Sequence, residues 1–167
     1  MKCPACNAEN IPGEDYCESC LESLTQVDGL AARDIRQKSI LEDPVSHLTL
    51  KKTVIVSARQ LVVEAVKEMN QANIGSALVG NADKLEGIIT ERDILYKVLG
   101  EGKNPAEVTV GSVMTPNPET LSEVDTIAYA LHLMSLGGYR HVPLLRKGKP
   151  LGVVSVRDIL AYLPRVL

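Results

Sequence analysis

The chain has 167 residues, 45% hydrophobic and 23% charged, with five Tyr and no Phe or Trp. That length suits one ordinary domain or a compact domain with a small appendage, and that balance suits a soluble fold with a core of Val, Ile, Leu, Ala and Met. A formal charge of −3 gives no general attraction to nucleic acid or anionic membrane. No apolar run approaches the ~20 residues of a membrane span and no apolar segment follows Met1 to make a signal peptide, so a cytoplasmic protein is expected.

All four cysteines lie at the start, as Cys3-Pro4-Ala5-Cys6 and Cys17-Glu18-Ser19-Cys20. Two residues between ligands let a tight turn aim both sulfurs at one ion, and two such turns complete a tetrahedron. Zinc is the expected metal, and iron also suits four thiolates. The alternative, a pair of disulfides in a secreted module, lacks an export signal. Residues 1–22 resemble the short zinc ribbons at the start of many prokaryotic proteins. Such knuckles often carry Gly after the second Cys; here Asn7 and Leu21 stand there. Asn tolerates positive φ, whereas Leu21 makes the second knuckle less typical. Between Met1 and Leu24, Lys2 faces five acidic residues, Glu9, Glu14, Asp15, Glu18 and Glu22. That is a poor surface for phosphates, so a protein-contact or structural role is expected. A piece this short depends on metal for its fold.

Residues 23–43 read as a linker that carries a helix over Leu30–Glu42, ending where Asp43 precedes Pro44.

The remainder repeats itself. A shift of 65 residues lays Val45–Leu99 on Val110–Pro164 without a gap. The identities include Ala65/Ala130, Met69/Met134, Gly87/Gly152 and the run Arg92-Asp93-Ile94-Leu95 on Arg157-Asp158-Ile159-Leu160, with Thr90 on Ser155. A gapless register of this length means two copies of one structural unit. In the first copy, hydrophobic spacing predicts a strand at Thr53–Val56 and a helix at Leu61–Gln71, apolar through Leu61, Val62, Ala65, Val66 and Met69. Strands at Ser76–Gly80 and Leu85–Thr90 follow, then a helix at Arg92–Leu99. The second copy predicts a helix at Thr126–Leu136, strands at His141–Leu145 and Leu151–Ser155 around the turn Arg146-Lys147-Gly148-Lys149, and a helix at Arg157–Leu163. The fold class is α/β (α+β): two β-α-β-β-α repeats with pseudo-twofold symmetry, behind a small four-Cys ribbon. The expected divisions are 1–22, 23–43, 44–100 and 101–167.

Residues 45–164 resemble a tandem pair of CBS domains (cystathionine-β-synthase-type regulatory modules). The first copy carries Asn73-Ile74-Gly75-Ser76-Ala77-Leu78-Val79 and then Gly87-Ile88-Ile89-Thr90-Glu91-Arg92-Asp93-Ile94. The second carries Val113-Met114-Thr115-Pro116, Gly138-Tyr139-Arg140-His141-Val142-Pro143-Leu144 and Gly152-Val153-Val154-Ser155-Val156-Arg157-Asp158. The resemblance implies an adenosyl ligand, AMP, ADP or ATP, with S-adenosylmethionine or a dinucleotide in some members, and a homodimer. An ionised Asp is acceptor-only and suits the two ribose hydroxyls, which points to Asp93 and Asp158. Thr90 and Ser155 place a hydroxyl at a helix N-terminus, where an anion is favoured. Ala77 and Val142 can flank an adenine. Arg140 and His141 fit the family's phosphate positions, which Gly75 and Ser76 hold in the first copy without charge, so the two sites are expected to differ. Arg92, Arg157 and Lys149 are secondary choices.

A bland reading accompanies the sharp one. Thr90-x-x-Asp93 and Ser155-x-x-Asp158 are also capping boxes, a role compatible with ligand binding. His47 and His132 read as a loop and a helix-surface residue. The sequence holds no nucleophile–base constellation, no P-loop and no Gly-x-Ser-x-Gly, so no enzyme is expected. The expected function is a nucleotide-sensing regulator that signals to a protein partner, with the ribbon as a route. The alternatives are a ribbon-based nucleic-acid-binding regulator and a structural pair with vacant clefts.

Overall fold

Strands form where β-branched residues cluster and helices where apolar residues recur every three or four positions. In a computed structural model of the chain, residues 1–3, 5–11, 14–24 and 42–166 are described. The helix expected over Leu30–Glu42 lies outside the described residues, apart from Glu42. The fold is mixed α/β, and the chain divides into two compact units. One comprises residues 50–121 and 141–153; the other comprises residues 1–49, 122–140 and 154–167. Each unit therefore draws on both repeats.

The first of these units holds a four-stranded sheet in the order β1 (Ile55–Val56), β2 (Ser76–Gly80), β3 (Leu85–Thr90), β4 (Thr115–Pro116). β1 runs parallel to β2, and parallel neighbours need a crossover. Helix α1 (Val62–Ala72) supplies it. Glu64 accepts from the Leu61 N–H at its start, and Asn73 closes it at φ 52°. α1 buries Val62, Ala65 and Met69 against Val56, Ala77, Val79, Ile89, Ile94, Val98, Val110 and Val113. β2 and β3 form an antiparallel hairpin that sets Ser76 opposite Thr90 and Ala77 opposite Ile89. Gly87 pairs with Pro116 of β4. A Cβ at Gly87 would stand 2.8 Å from the Thr115 carbonyl oxygen, so only glycine lets β4 approach this closely. Helix α2 (Glu91–Ile94) follows β3 at once and runs into a π-helical turn, Leu95–Leu99, in which the Gly100 N–H reaches the Leu95 carbonyl. The first expected strand is thus two residues shorter than the sequence pattern suggests, and the closing helix changes winding after Ile94. A short helix, α3 (Val110–Val113), precedes β4.

A second sheet has the order β5 (Leu121–Ser122), β6 (His141–Arg146), β7 (Lys149–Ser155). The turn between β6 and β7 is tighter than expected. Lys147 and Gly148 both have positive φ, 51° and 78°, the signature of a two-residue hairpin. In the unit that starts at residue 1, helix α4 (Ile127–Gly137) begins at Thr126, whose hydroxyl accepts from the Tyr129 N–H, and ends at Gly138 with φ 63°. It buries Ile127, Ala130 and Met134, the counterparts of Val62, Ala65 and Met69. Helix α5 (Val156–Val166) closes the chain. His132 is half-buried rather than a surface residue, with its Nε2 enclosed. His47 sits in a 3-10 turn, Val45–His47, exposed and 3.8 Å from Asp43.

Candidate functional site

The N-terminal segment folds as two matching knuckles. The Asn7 N–H reaches the Cys3 carbonyl at 2.9 Å, and the Leu21 N–H reaches the Cys17 carbonyl at 2.8 Å. Cys3 N–H bonds Ala8 and Cys17 N–H bonds Glu22, both at 2.8 Å. Asn7 and Leu21 have φ of 62° and 61°, so both close their knuckles in the left-handed region. Asn does this readily; a γ-branched Leu does so under strain, and Leu21 is also 77% exposed. Cys3, Cys17 and Leu24 form a small core with Met1, Ala5, Cys6 and Ala8 around it. Asn10, buried, braces the second knuckle by accepting from the Glu18 N–H at 3.0 Å.

The four sulfurs lie within 4.8 Å of one another. Cys3 to Cys20 is 3.6 Å and Cys6 to Cys17 is 3.5 Å. A tetrahedral thiolate site with Zn–S of about 2.3 Å needs sulfurs ~3.8 Å apart, so the residues present fit a four-thiolate metal. Burial disfavours the thiolates. It raises Cys3, and with its thiol neighbours it pushes Cys6 up to about 12. Burial acts the same way on Cys17, but N–H donors of Cys20 and Ser19 and the Asn10 side chain outweigh it and bring Cys17 down to about 6. The N–H donors thus favour the thiolate at Cys17 and burial disfavours it at Cys3 and Cys6, where a divalent cation would supply the missing compensation.

The two repeated turns are built alike. In the first, the Thr90 N–H and hydroxyl donate to Asp93 Oδ2 at 3.0 and 2.6 Å, and the Asp93 N–H returns to Thr90 Oγ1 at 3.3 Å. In the second, the Ser155 N–H and hydroxyl donate to Asp158 Oδ2 at 2.8 and 2.6 Å, and the Asp158 N–H returns to Ser155 Oγ at 3.3 Å. Each following helix gives its first N–H to the residue just ahead of the hairpin's first strand: Glu91 to the Gly75 carbonyl at 3.0 Å and Val156 to the Arg140 carbonyl at 3.2 Å. The capping reading of these turns is therefore present in both copies.

The second carboxylate oxygen separates them. Asp93 Oδ1 pairs with Lys97 at 2.7 Å, and Lys97 also holds the Val113 carbonyl at 2.8 Å. The residue 65 positions on is Tyr162, whose hydroxyl turns to the Asp43 carboxylate. Among the described residues no cation pairs with Asp158. Asp93 is 8% exposed, while Asp158 is half-buried. Lys97 went unnoticed in the sequence, although its i+4 spacing from Asp93 was the available signal.

The remaining expected residues belong to several elements. Ala77 belongs to the core and Val142 is fully buried, so both present backbone rather than side chain. Arg140 is exposed at the entry to β6, His141 is half-buried, and Arg92 and Arg157 are exposed on their helices. Arg92 lies over the Tyr96 ring at 6.0 Å. Lys149 pairs with Asp83 at 2.5 Å, which occupies it on the hairpin surface. Gly87 answers to strand pairing, and Gly152 faces Leu50 and Thr53, where a Cβ would stand 3.1 and 3.4 Å away.

Two β-α-β-β-α copies with a hydroxyl–carboxylate turn at the same station of each define a paired repeat module. The chain belongs to the CBS domain family, whose model matches residues 45–100 and 110–165. It is 38% identical over 96 residues to the CBS domain-containing protein CBSCBSPB2 of Arabidopsis thaliana, a match covering 58% of this chain and 18% of that one. The chain thus spans less than a fifth of that relative. Among solved structures it is similar to the CBS-domain containing protein ATU1752 from Agrobacterium tumefaciens, with TM-score 0.61 and 28% identity over 66% of this chain and 89% of that one. It also shares its fold with CBS domain protein PAE2072 from Pyrobaculum aerophilum, complexed with AMP, with TM-score 0.64 and 23% identity over 73% and 98% of the two chains. Among the described residues no helix is long and apolar enough to cross a membrane.

Proposed function

We propose that the chain is a regulatory CBS pair that binds an adenine nucleotide, AMP, ADP or ATP, and signals to a protein partner, with zinc held by Cys3, Cys6, Cys17 and Cys20. The observation that carries this reading is the pair of hydroxyl–carboxylate turns, above all the one at Ser155 and Asp158. Asp158 Oδ2 is committed to the cap, while no cation among the described residues takes its other oxygen. A ribose diol supplies the donors such an oxygen lacks. Arg140 and His141 open the strand of the same repeat and would serve the phosphate, with Arg157 nearby in sequence. In the first repeat, Thr90 and Asp93 keep the same chemistry, but Lys97 already compensates the carboxylate. Ala77 and Val142 would meet an adenine through their backbone groups.

Self-association suits the exposed apolar residues: Leu95, Tyr96 and Leu99 on one helical segment, and Leu131, Leu136 and Leu160 on α4 and α5. A homodimer would cover such surface. The ribbon exposes Glu9, Glu14, Asp15, Glu18 and Glu22, which opposes a nucleic-acid role and favours a protein contact. A structural pair without ligand is the second reading, and the completed capping boxes favour it.

Calorimetric titration of the full chain with AMP, ADP, ATP, S-adenosylmethionine and NAD separates the two. Binding of an adenine nucleotide, lost in Asp158→Ala while the fold is kept, is the expected result. No heat and no change in melting temperature with any of the five would overturn the sensing reading.

A further inference from the structure

The ribbon does not project freely from the repeats. Its first knuckle is docked on the turn that starts α4. The Asn7 side-chain amide donates to Asp125 Oδ1 at 2.7 Å across 118 residues of sequence. The other carboxylate oxygen, Asp125 Oδ2, accepts from the Ser122 N–H at 2.7 Å, and the Asp125 N–H returns to the Ser122 carbonyl at 3.1 Å. The Asp125 carbonyl accepts from the Val45 N–H at 2.8 Å, and the Ile127 N–H reaches the Asp43 carbonyl at 2.9 Å. Asp125 is thus where the ribbon, the chain entering the repeats and the start of α4 are tied together. Among the described residues no donor meets the enclosed Asn7 Oδ1. An enclosed acceptor left unpaired is destabilising, and the charge-assisted bond from the same amide to Asp125 offsets it.

Asn7 can reach Asp125 only while its knuckle is folded. Its φ of 62° and its N–H bond to Cys3 belong to a turn whose ends are two metal-ligating sulfurs. We propose that metal binding by the ribbon is coupled to the order of the Ser122–Thr126 turn through Asn7 and Asp125, so that the ribbon reports metal occupancy to the second repeat. The coupling is reciprocal: what firms the turn tightens the metal, and metal firms the turn. Leu21, the counterpart of Asn7, carries no polar group and is exposed, so the second knuckle does not dock this way.

The proposal rests on reading the four cysteines as a metal site, and it needs no nucleotide. Asn7→Gly is the informative variant, because glycine adopts positive φ at no steric cost and only the amide is removed. In an undocked ribbon this change would leave zinc affinity equal or better. Through the contact it is expected to weaken zinc about tenfold, measured on the full chain by competition with a chromophoric zinc chelator. In the wild type, stripping zinc is expected to speed hydrogen exchange at the Val45, Ser122 and Asp125 amides; in Asn7→Gly these amides exchange fast with or without zinc. Equal or tighter zinc binding in Asn7→Gly, or exchange at these amides indifferent to zinc in the wild type, would overturn the coupling while leaving the metal site standing. A full chain that takes up no zinc at all would overturn both.

Discussion

Lys97 sits 2.7 Å from the Asp93 carboxylate, and the equivalent place in the second repeat belongs to Tyr162, which faces Asp43 instead. One substitution between two copies of a unit thus separates a carboxylate paired with a lysine from one that no cation among the described residues meets.

Calorimetry should read this difference. Lys97→Tyr copies the second repeat into the first and releases Asp93 Oδ1. If the proposed ligand is bound, the variant is expected to raise occupancy at Thr90 and Asp93 and move the stoichiometry per chain towards two. The cost to stability should be small, about 0.5 kcal/mol, because Lys97 is 43% exposed and the pair is screened.

The caps themselves predict stability changes. Asp158→Ala removes an acceptor from the Ser155 N–H and hydroxyl and should cost about 1 kcal/mol in urea denaturation. Asp93→Ala should cost slightly more, about 1.5 kcal/mol, because it also removes the screened pair with half-exposed Lys97. Equal costs would show that Lys97 adds nothing to the first turn.

Gly87→Ala should be the more damaging of the two repeat-glycine changes. Its Cβ would meet the Thr115 carbonyl oxygen at 2.8 Å and the Met114 sulfur at 2.7 Å, whereas at Gly152 the nearest atom is a Leu50 methyl at 3.1 Å. A displaced β4 is expected to cost about 1–3 kcal/mol, and Gly152→Ala less, since a side chain yields where backbone does not. Thermal denaturation of both variants compares them.

Leu21→Gly should help the ribbon. At φ 61° a leucine carries strain of about 1 kcal/mol that glycine does not, and the side chain is 77% exposed, so little packing is lost. Zinc affinity, which reports ribbon folding, is expected to rise several-fold.

Zinc removal should unfold residues 1–24 first. Among the described residues their buried apolar core is Cys3, Cys17 and Leu24, too small to hold without the metal. Amide exchange at Cys3, Asn7, Cys17 and Leu21 is expected to become fast on chelation, while the α1 amides of Ala65 and Met69 stay protected.

The sequence by itself determined the repeat, its elements and the clustering of the four cysteines. These rest on local rules: the strands Ser76–Gly80 and Leu85–Thr90 appear at the residues that β-branched content marks, and C-x-x-C spacing brings two sulfurs to one point within a single turn. Where local rules compete, boundaries moved, as at Lys147-Gly148, where two positive φ values let a tighter turn win, and at Leu95, where the winding changes. The tertiary structure alone decided which groups are compensated. That Asp93 meets a lysine on the next turn, that Tyr162 turns to Asp43, and that Asn7 finds Asp125 across the chain all depend on where a side chain is buried and what stands within 3 Å of it. Residue type and spacing state what a side chain can donate or accept; only packing states which partner it has.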